Sequence, residues 1–137
     1  MGKIIRDVMT PSPQTVQAGS PATEAAKLMK EAHAGMIPVV ENGRLLGAVT
    51  DRDIVLRVVA EGKDPTSTTA GDIASIDLIT VTPDQDLDEA MKLMARHQIR
   101  RLPVVEDGRL IGVVAQADVA RAGDERQVGE TVDQISR

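Results

Sequence analysis

The chain has 137 residues, 42% of them hydrophobic, no Phe, Tyr, Trp or Cys, and a net charge of −5. That composition excludes disulfides, thiolate metal sites and cysteine nucleophiles, disfavours base stacking on aromatic platforms, and lacks the basic excess of a nucleic-acid binder. No apolar run of about 18 residues marks a membrane span and the N-terminus has no apolar signal-peptide stretch. The expectation is therefore a cytoplasmic protein with neither a nucleic-acid nor a membrane partner.

In chain order, Val8-Met9-Thr10-Pro11 reads as a short lead-in and Thr15-Val16 as a brief extended segment. Ser20-Pro21 is a helix-start signal, a capping hydroxyl followed by proline. Ala22, Ala25, Ala26 and Met29 then follow helical spacing, and Gly35 is the expected stop. Met36 to Val40 reads as a strand with Pro38 at its start or on an edge. Asn42-Gly43 is a hairpin turn, Arg44 to Thr50 the returning strand, and Asp51 to about Ala60 a second helix that stops at Gly62.

The same series then recurs. Residues 7–58 lie on residues 72–123 without a gap when slid forward by 65 positions. Pro38 to Gly47 meets Pro103 to Gly112, and Glu24-Ala25 and Lys27-Leu28-Met29 meet Glu89-Ala90 and Lys92-Leu93-Met94. In the second copy Leu87, Ala90, Met91 and Met94 stripe a helix, Asp107-Gly108 makes the turn, and Asp118 opens a short helix closed by Gly123. Such duplication means two copies of one supersecondary unit. Each copy is too small to bury enough surface alone, so the two are expected to share a core. The fold class is α/β: two β-α-β-β-α repeats, at 7–60 and 72–123, packed with approximate two-fold symmetry. Residues 61–71 form a linker, and 124–137 a polar tail in which Val128, Val132 and Ile135 line one short helix face.

The sharpest motif is Gly47-Ala48-Val49-Thr50-Asp51-Arg52-Asp53, a strand running into a helix. Gly47 inside a strand admits the close approach of a ligand or of another backbone. Thr50 and Asp53 stand at the helix mouth, where backbone N–H groups lack intrahelical partners. A carboxylate at this spacing can accept both hydroxyls of a ribose. The alternative is that Thr-x-x-Asp forms a capping box, with Asp in place of Glu, and only satisfies the helix end. No Ser-His-Asp set, Walker-type loop or metal-ligand cluster is apparent. Two histidines, His33 and His97, are too few for a histidine-built metal site. Neither a catalytic residue nor a metal site is nominated, and an enzyme is not expected.

The order of these pieces (Val-Met-Thr lead-in, Thr-Val segment, Glu-Ala-x-x-Leu-Met helix, Pro-Val-Val, Asn-Gly or Asp-Gly turn, Gly-x-Val, then Asp) resembles the CBS domain. Here it occurs as a tandem pair, a Bateman module, over residues 7–123. The resemblance implies a regulatory module that binds adenosine-containing molecules, AMP, ADP, ATP or S-adenosylmethionine, in clefts between repeats. It also implies a homodimer and no catalysis. Carried over residue by residue, a first cleft combines Thr50, Arg52 and Asp53 with Thr80, Val81, Arg100, Arg101, Leu102 and Pro103. Asp53 would hold the ribose, Arg101 with Arg100 would face phosphate, and the apolar residues would flank adenine.

A second cleft combines Asp118 with Thr15, Val16, Met36, Ile37 and Pro38. It departs from the family pattern: Ala115 stands where Thr50 stood, Ala117 where Arg52 stood, and Gly35-Met36 where the arginines stand. This cleft is expected to hold no phosphorylated ligand tightly. The sequence thus reads as an adenine-nucleotide sensor acting on a separate, unidentified effector protein. The alternative is an interaction module whose clefts are vestigial.

Overall fold

The computed structural model describes residues 2–122. The expected helix stop at Gly123 and the tail at 124–137 lie outside the described residues. The elements are α1 (Ile5–Val8), β1 (Thr10–Pro11), β2 (Val16–Gln17), α2 (Ala22–Ala32), β3 (Met36–Glu41), β4 (Arg44–Thr50), α3 (Asp51–Ile54), a widened π turn (Val55–Val59), α4 (Ala70–Ile73), α5 (Leu87–His97), β5 (Arg101–Glu106) and β6 (Arg109–Ala115). A last helix, α6, covers residues 116–122. From α1 to β6, the helices α1, α2 and the strands β3, β4 each recur 65 positions on with the same length.

Contacts divide the described chain into two compact units that do not coincide with the sequence copies. One, the Asp53 unit, is Pro13–Leu78 with Asp107–Leu110; the other, the Asp118 unit, is residues 2–12, 79–106 and 111–122. Each sequence copy lends its opening helix to the other copy's unit. In the Asp53 unit, α4 from the second copy docks on the first copy: the Ala70 N–H donates to the Ser20 carbonyl at 2.7 Å and that of Gly71 to Ala18 at 2.9 Å. In the Asp118 unit, α1 from the first copy makes the equivalent bonds, Ile5 to Gln85 and Arg6 to Pro83, both at 2.9 Å.

Within the Asp53 unit β2 pairs parallel with β3, Val16 against Val39, and β3 pairs antiparallel with β4. The core is Val16, Ala22, Ala25, Met29, Ile37, Val39, Val49, Val58, Ala70, Ile73 and Ala74. In the Asp118 unit β1 and β5 both pair with β6, and Val81 bridges Val104 in parallel. Its core holds Ile5, Val81, Leu87, Ala90, Met94, Leu102, Val104, Val114, Val119 and Ala122.

Several local expectations need correction. α2 ends at His33, not Gly35: His33 takes the left-handed C-cap conformation at φ 51°, and its N–H bonds the Met29 carbonyl. Gln98 does the same after α5. Gly35 instead sits against Asp51, whose Oδ2 would be 3.3 Å from an added Cβ. The residue capping α2 is Pro21, and no side-chain hydrogen bond caps that helix. The buried stripe is narrower than the spacing suggests, because Ala26 and its counterpart Met91 are exposed in both helices. The lead-in read before Thr10 is partly helical, since α1 runs through Val8. α4 starts at Ala70, within the stretch read as linker, with Thr69 Oγ1 accepting from the Asp72 N–H. α6 opens at residue 116, so Asp118 lies in its first turn instead of starting it.

Both hairpin turns form as the Asn-Gly and Asp-Gly pairs dictate. Asn42 and Gly43 have φ of 54° and 82°, Asp107 and Gly108 of 54° and 80°, the positive pair that a type I′ turn needs. Residues 107–110 belong to the Asp53 unit because the two turns bond each other. The Leu45 N–H donates to Gly108 and the Leu110 N–H to Gly43. The Arg109 guanidinium lies over Gly43 and that of Arg44 over Gly108, where side chains would collide with them.

Candidate functional site

The Asp53 mouth is built where β4 turns into α3. Thr50 is extended (φ −109°, ψ 164°) and Asp53 lies in the first turn. The Asp53 N–H donates to Thr50 Oγ1 at 3.1 Å, and the Thr50 N–H donates to Asp53 Oδ2 at 2.9 Å. The capping box weighed from the sequence therefore forms, and it orients the carboxylate. Asp53 is only 7% exposed. Burying a charge is costly unless it is hydrogen-bonded or paired, and this one is both. Ser75 Oγ donates across both carboxylate oxygens, at 3.0 and 3.2 Å. Arg57 Nε stands 3.8 Å from Oδ1, while the same side chain reaches the Ile73 and Ala74 carbonyls.

Ser75 is the residue that sequence reasoning missed, and a signal for it existed. Gly47 was read as a place of close approach, and the approaching group is the backbone of residues 74–75. Ala48 and Ser75 exchange N–H···O bonds at 3.0 and 2.8 Å. A Cβ on Gly47 would stand 2.5 Å from the Ser75 carbonyl oxygen. The absent side chain brings Ser75 onto β4, one turn of chemistry away from Asp53.

A carboxylate offers about four acceptor positions. One is used by the Thr50 N–H and the Ser75 hydroxyl is shared between the two oxygens, and Arg57 at 3.8 Å makes no hydrogen bond, so about two acceptor positions of Asp53 have no hydrogen-bond donor among these groups. Arg52, on the same turn, is exposed.

The Asp118 mouth repeats half of this arrangement. The Ala115 N–H donates to Asp118 Oδ2 at 2.9 Å. Ala115 has no hydroxyl to return the bond, so the box stays open. Asp118 is 8% exposed, and its Oδ1 receives Arg121 Nη2 at 2.6 Å. Thr10, the counterpart of Ser75, is exposed in β1.

The remaining residues named from the sequence fall as follows. In the Asp118 unit the Val81 N–H donates to the Pro103 carbonyl at 3.0 Å and the Val105 N–H to that of Val81 at 2.8 Å, so Thr80-Val81 lies alongside Leu102-Pro103. Thr80, Arg100 and Arg101 are exposed; Val81, Leu102 and Pro103 are buried. The Gln116 N–H donates to the Arg100 carbonyl at 2.7 Å, which brings Arg100 to the Asp118 mouth. In the Asp53 unit Met36 stands directly across from Thr50, Ile37 from Val49 and Pro38 from Ala48. Thr15 leads into β2 beside them. Among the described residues no group of three or more His, Asp or Glu side chains is placed to hold a metal ion, and no helix is long and apolar enough to cross a membrane.

Comparison with known proteins identifies the family. The CBS domain model matches residues 5–60 and 70–125. The CBS domain-containing protein YhcV of Bacillus subtilis is 46% identical over 116 residues, which is 85% of this chain and 82% of that protein. Among solved structures, CBSX2 in complex with AMP is 27% identical with a TM-score of 0.80, covering 92% of this chain and 99% of that one. The CBS domain pair of protein MJ0100, in complex with 5′-methylthioadenosine and S-adenosyl-L-methionine, is 26% identical with a TM-score of 0.76 and the same coverages.

Proposed function

Given that the chain belongs to the CBS family, with two CBS domains in tandem, we propose that it is an adenine-nucleotide sensor that binds one nucleotide per chain. Asp53 holds the ribose with Thr50 beside it, and Arg52 flanks the site. In the family pattern Arg100 and Arg101 would supply the positive charge for phosphate, and Thr80, Val81, Leu102 and Pro103 the contacts for adenine; in this chain all six belong to the Asp118 unit. The observation that carries this reading is the Asp53 carboxylate: buried, oriented by Thr50, and with acceptor positions to spare. The AMP and S-adenosylmethionine complexes of its structural neighbours support the ligand class.

The mechanism is linkage. A bound nucleotide shifts the equilibrium between two states of the protein only by its differential affinity for them. The signal passes to a separate effector protein from a cytoplasmic homodimer. Val55, Leu56 and Val59, exposed on the π turn after α3, are the apolar surface that favours self-association.

A second reading has its own observation. Thr50 and Asp53 bond each other as caps do, which suits an interaction module without ligand. Thermal unfolding with AMP, ADP, ATP and S-adenosylmethionine separates the two. A ligand at about 100 times its dissociation constant adds ~2.7 kcal/mol of stability, a shift of several degrees for a chain of this size. No shift with any of the four selects the interaction module.

A further inference from the structure

The two CBS carboxylates differ in who occupies them. At Asp53 the hydrogen-bonding side-chain partner is the neutral hydroxyl of Ser75, 3.0 and 3.2 Å from the two oxygens, and the nearest cation, Arg57, stands back at 3.8 Å, beyond hydrogen-bond distance. At Asp118 it is the guanidinium of Arg121, 2.6 Å from Oδ1. The Arg121 side chain is 67% exposed and the Asp118 side chain 10%, so a largely solvated arginine reaches a buried acid with its Nη2. At Asp53 only the acceptor of the serine bond is charged, whereas at Asp118 donor and acceptor form a hydrogen-bonded ion pair. A ribose hydroxyl arriving at Asp118 must break that pair; at Asp53 it has only to share with a serine that can rotate.

The surroundings of Asp118 offer a ligand space. A cavity of about 180 Å³ is lined by Lys3, Asp7, Val8, Asp118, Arg121 and Ala122. Among these lining residues two cations and two carboxylates balance, so the lining carries no net positive charge for a phosphate. An uncharged diol, such as the ribose of a nucleoside, matches that lining.

We propose that Arg121 is a built-in competitor that closes the Asp118 site, and that it, together with the missing hydroxyl at Ala115, determines that only one of the two CBS carboxylates binds a nucleoside. The choice of an adenosine-type ligand rests on the function proposed for Asp53. Removing the guanidinium frees Oδ1 and strengthens nucleoside binding at Asp118 by roughly tenfold to hundredfold, the equivalent of one hydrogen bond to a charged group.

The test is calorimetric titration of the full chain with adenosine, comparing wild type, Arg121→Ala, and Arg121→Ala combined with Asp118→Ala. Arg121→Gln, which keeps the aliphatic stem, serves as the second single variant, and circular dichroism checks each fold. Arg121→Ala and Arg121→Gln are expected to bind one more adenosine per chain than wild type, and the double variant to lose the added one. An unchanged number in both single variants, two adenosines already bound by wild type, or an added molecule that survives loss of Asp118 overturns the inference. The Asp53 reading fails separately: if wild type binds none and Arg121→Ala binds one, Asp53 is a cap and the Arg121 inference stands.

Discussion

The Asp53 and Asp118 mouths come from one ancestral pattern repeated 65 residues apart, yet they satisfy the same buried acid by different means. At Asp53 a threonine closes the box from one side and a serine 22 residues away closes it from the other. At Asp118 the threonine is an alanine, the serine's counterpart turns outward as Thr10, and an arginine one turn along the same helix takes over. A backbone fold constrains the need, a satisfied carboxylate at the start of a helix, and leaves the partner open. In the proposed division, hydroxyl and amide partners with Arg57 held back at 3.8 Å leave the first carboxylate open, whereas a guanidinium at 2.6 Å occupies the second.

The largest effect that can break this comparison is expected at Gly47. Its Cβ would meet backbone, the Ser75 carbonyl at 2.5 Å, so Gly47→Ala is expected to cost about 3 kcal/mol, at the upper end of overpacking penalties. At the equivalent Gly112 the nearest atom is the flexible Met9 Sδ at 2.7 Å, with the Thr10 carbonyl oxygen at 2.9 Å. Gly112→Ala is expected to cost about 2 kcal/mol. Denaturant unfolding of the two variants checks the order, and equal losses would mean that Ser75 is not held more tightly than Thr10.

Next in size is Asp53→Ala, which removes the acceptor of the Thr50 N–H and of Ser75 and is expected to destabilise by about 2 kcal/mol. Ser75→Ala removes a hydroxyl donor to the carboxylate and is expected to cost about 1.5 kcal/mol, the low end for a hydrogen bond to a charged group. Smaller still is the exchange of caps. Thr50→Ala makes the first mouth resemble the second and is expected to lose ~1 kcal/mol, while Ala115→Thr gains up to ~1 kcal/mol if the new hydroxyl meets the Asp118 N–H. Thermal melts of the two single variants measure both signs; a loss from Ala115→Thr would show that Arg121 already excludes a closed box. The smallest change is expected for Thr10→Ala, which leaves stability unchanged.

What could be read in the sequence follows the range of the interactions. The hairpins were legible because Asn-Gly and Asp-Gly supply two positive φ angles locally, and α2 and α5 because eleven residues carry a period. α1 and α4 are four residues each, too short for periodicity to register. The helix end at His33 was missed because a left-handed cap is usually sought at glycine, and Gly35 stood two residues away. The exchange of opening helices was hidden by the repeat itself: contiguous copies suggest contiguous units, whereas Ala70 bonds Ser20 and Ile5 bonds Gln85. Thr50 and Asp53 were legible as a pair three residues apart. Ser75 and Arg121 were not, since neither a contact across 22 residues nor the rotamer of an exposed arginine leaves a pattern in composition.

The most direct measurement is titration calorimetry with AMP on wild type, Asp53→Ala and Asp118→Ala. One AMP per wild-type chain is expected, weakened roughly tenfold to hundredfold in Asp53→Ala by loss of hydrogen bonds to a charged group and unchanged in Asp118→Ala. Equal weakening in the two variants, or no AMP bound by wild type, would contradict the division of labour between the two acids.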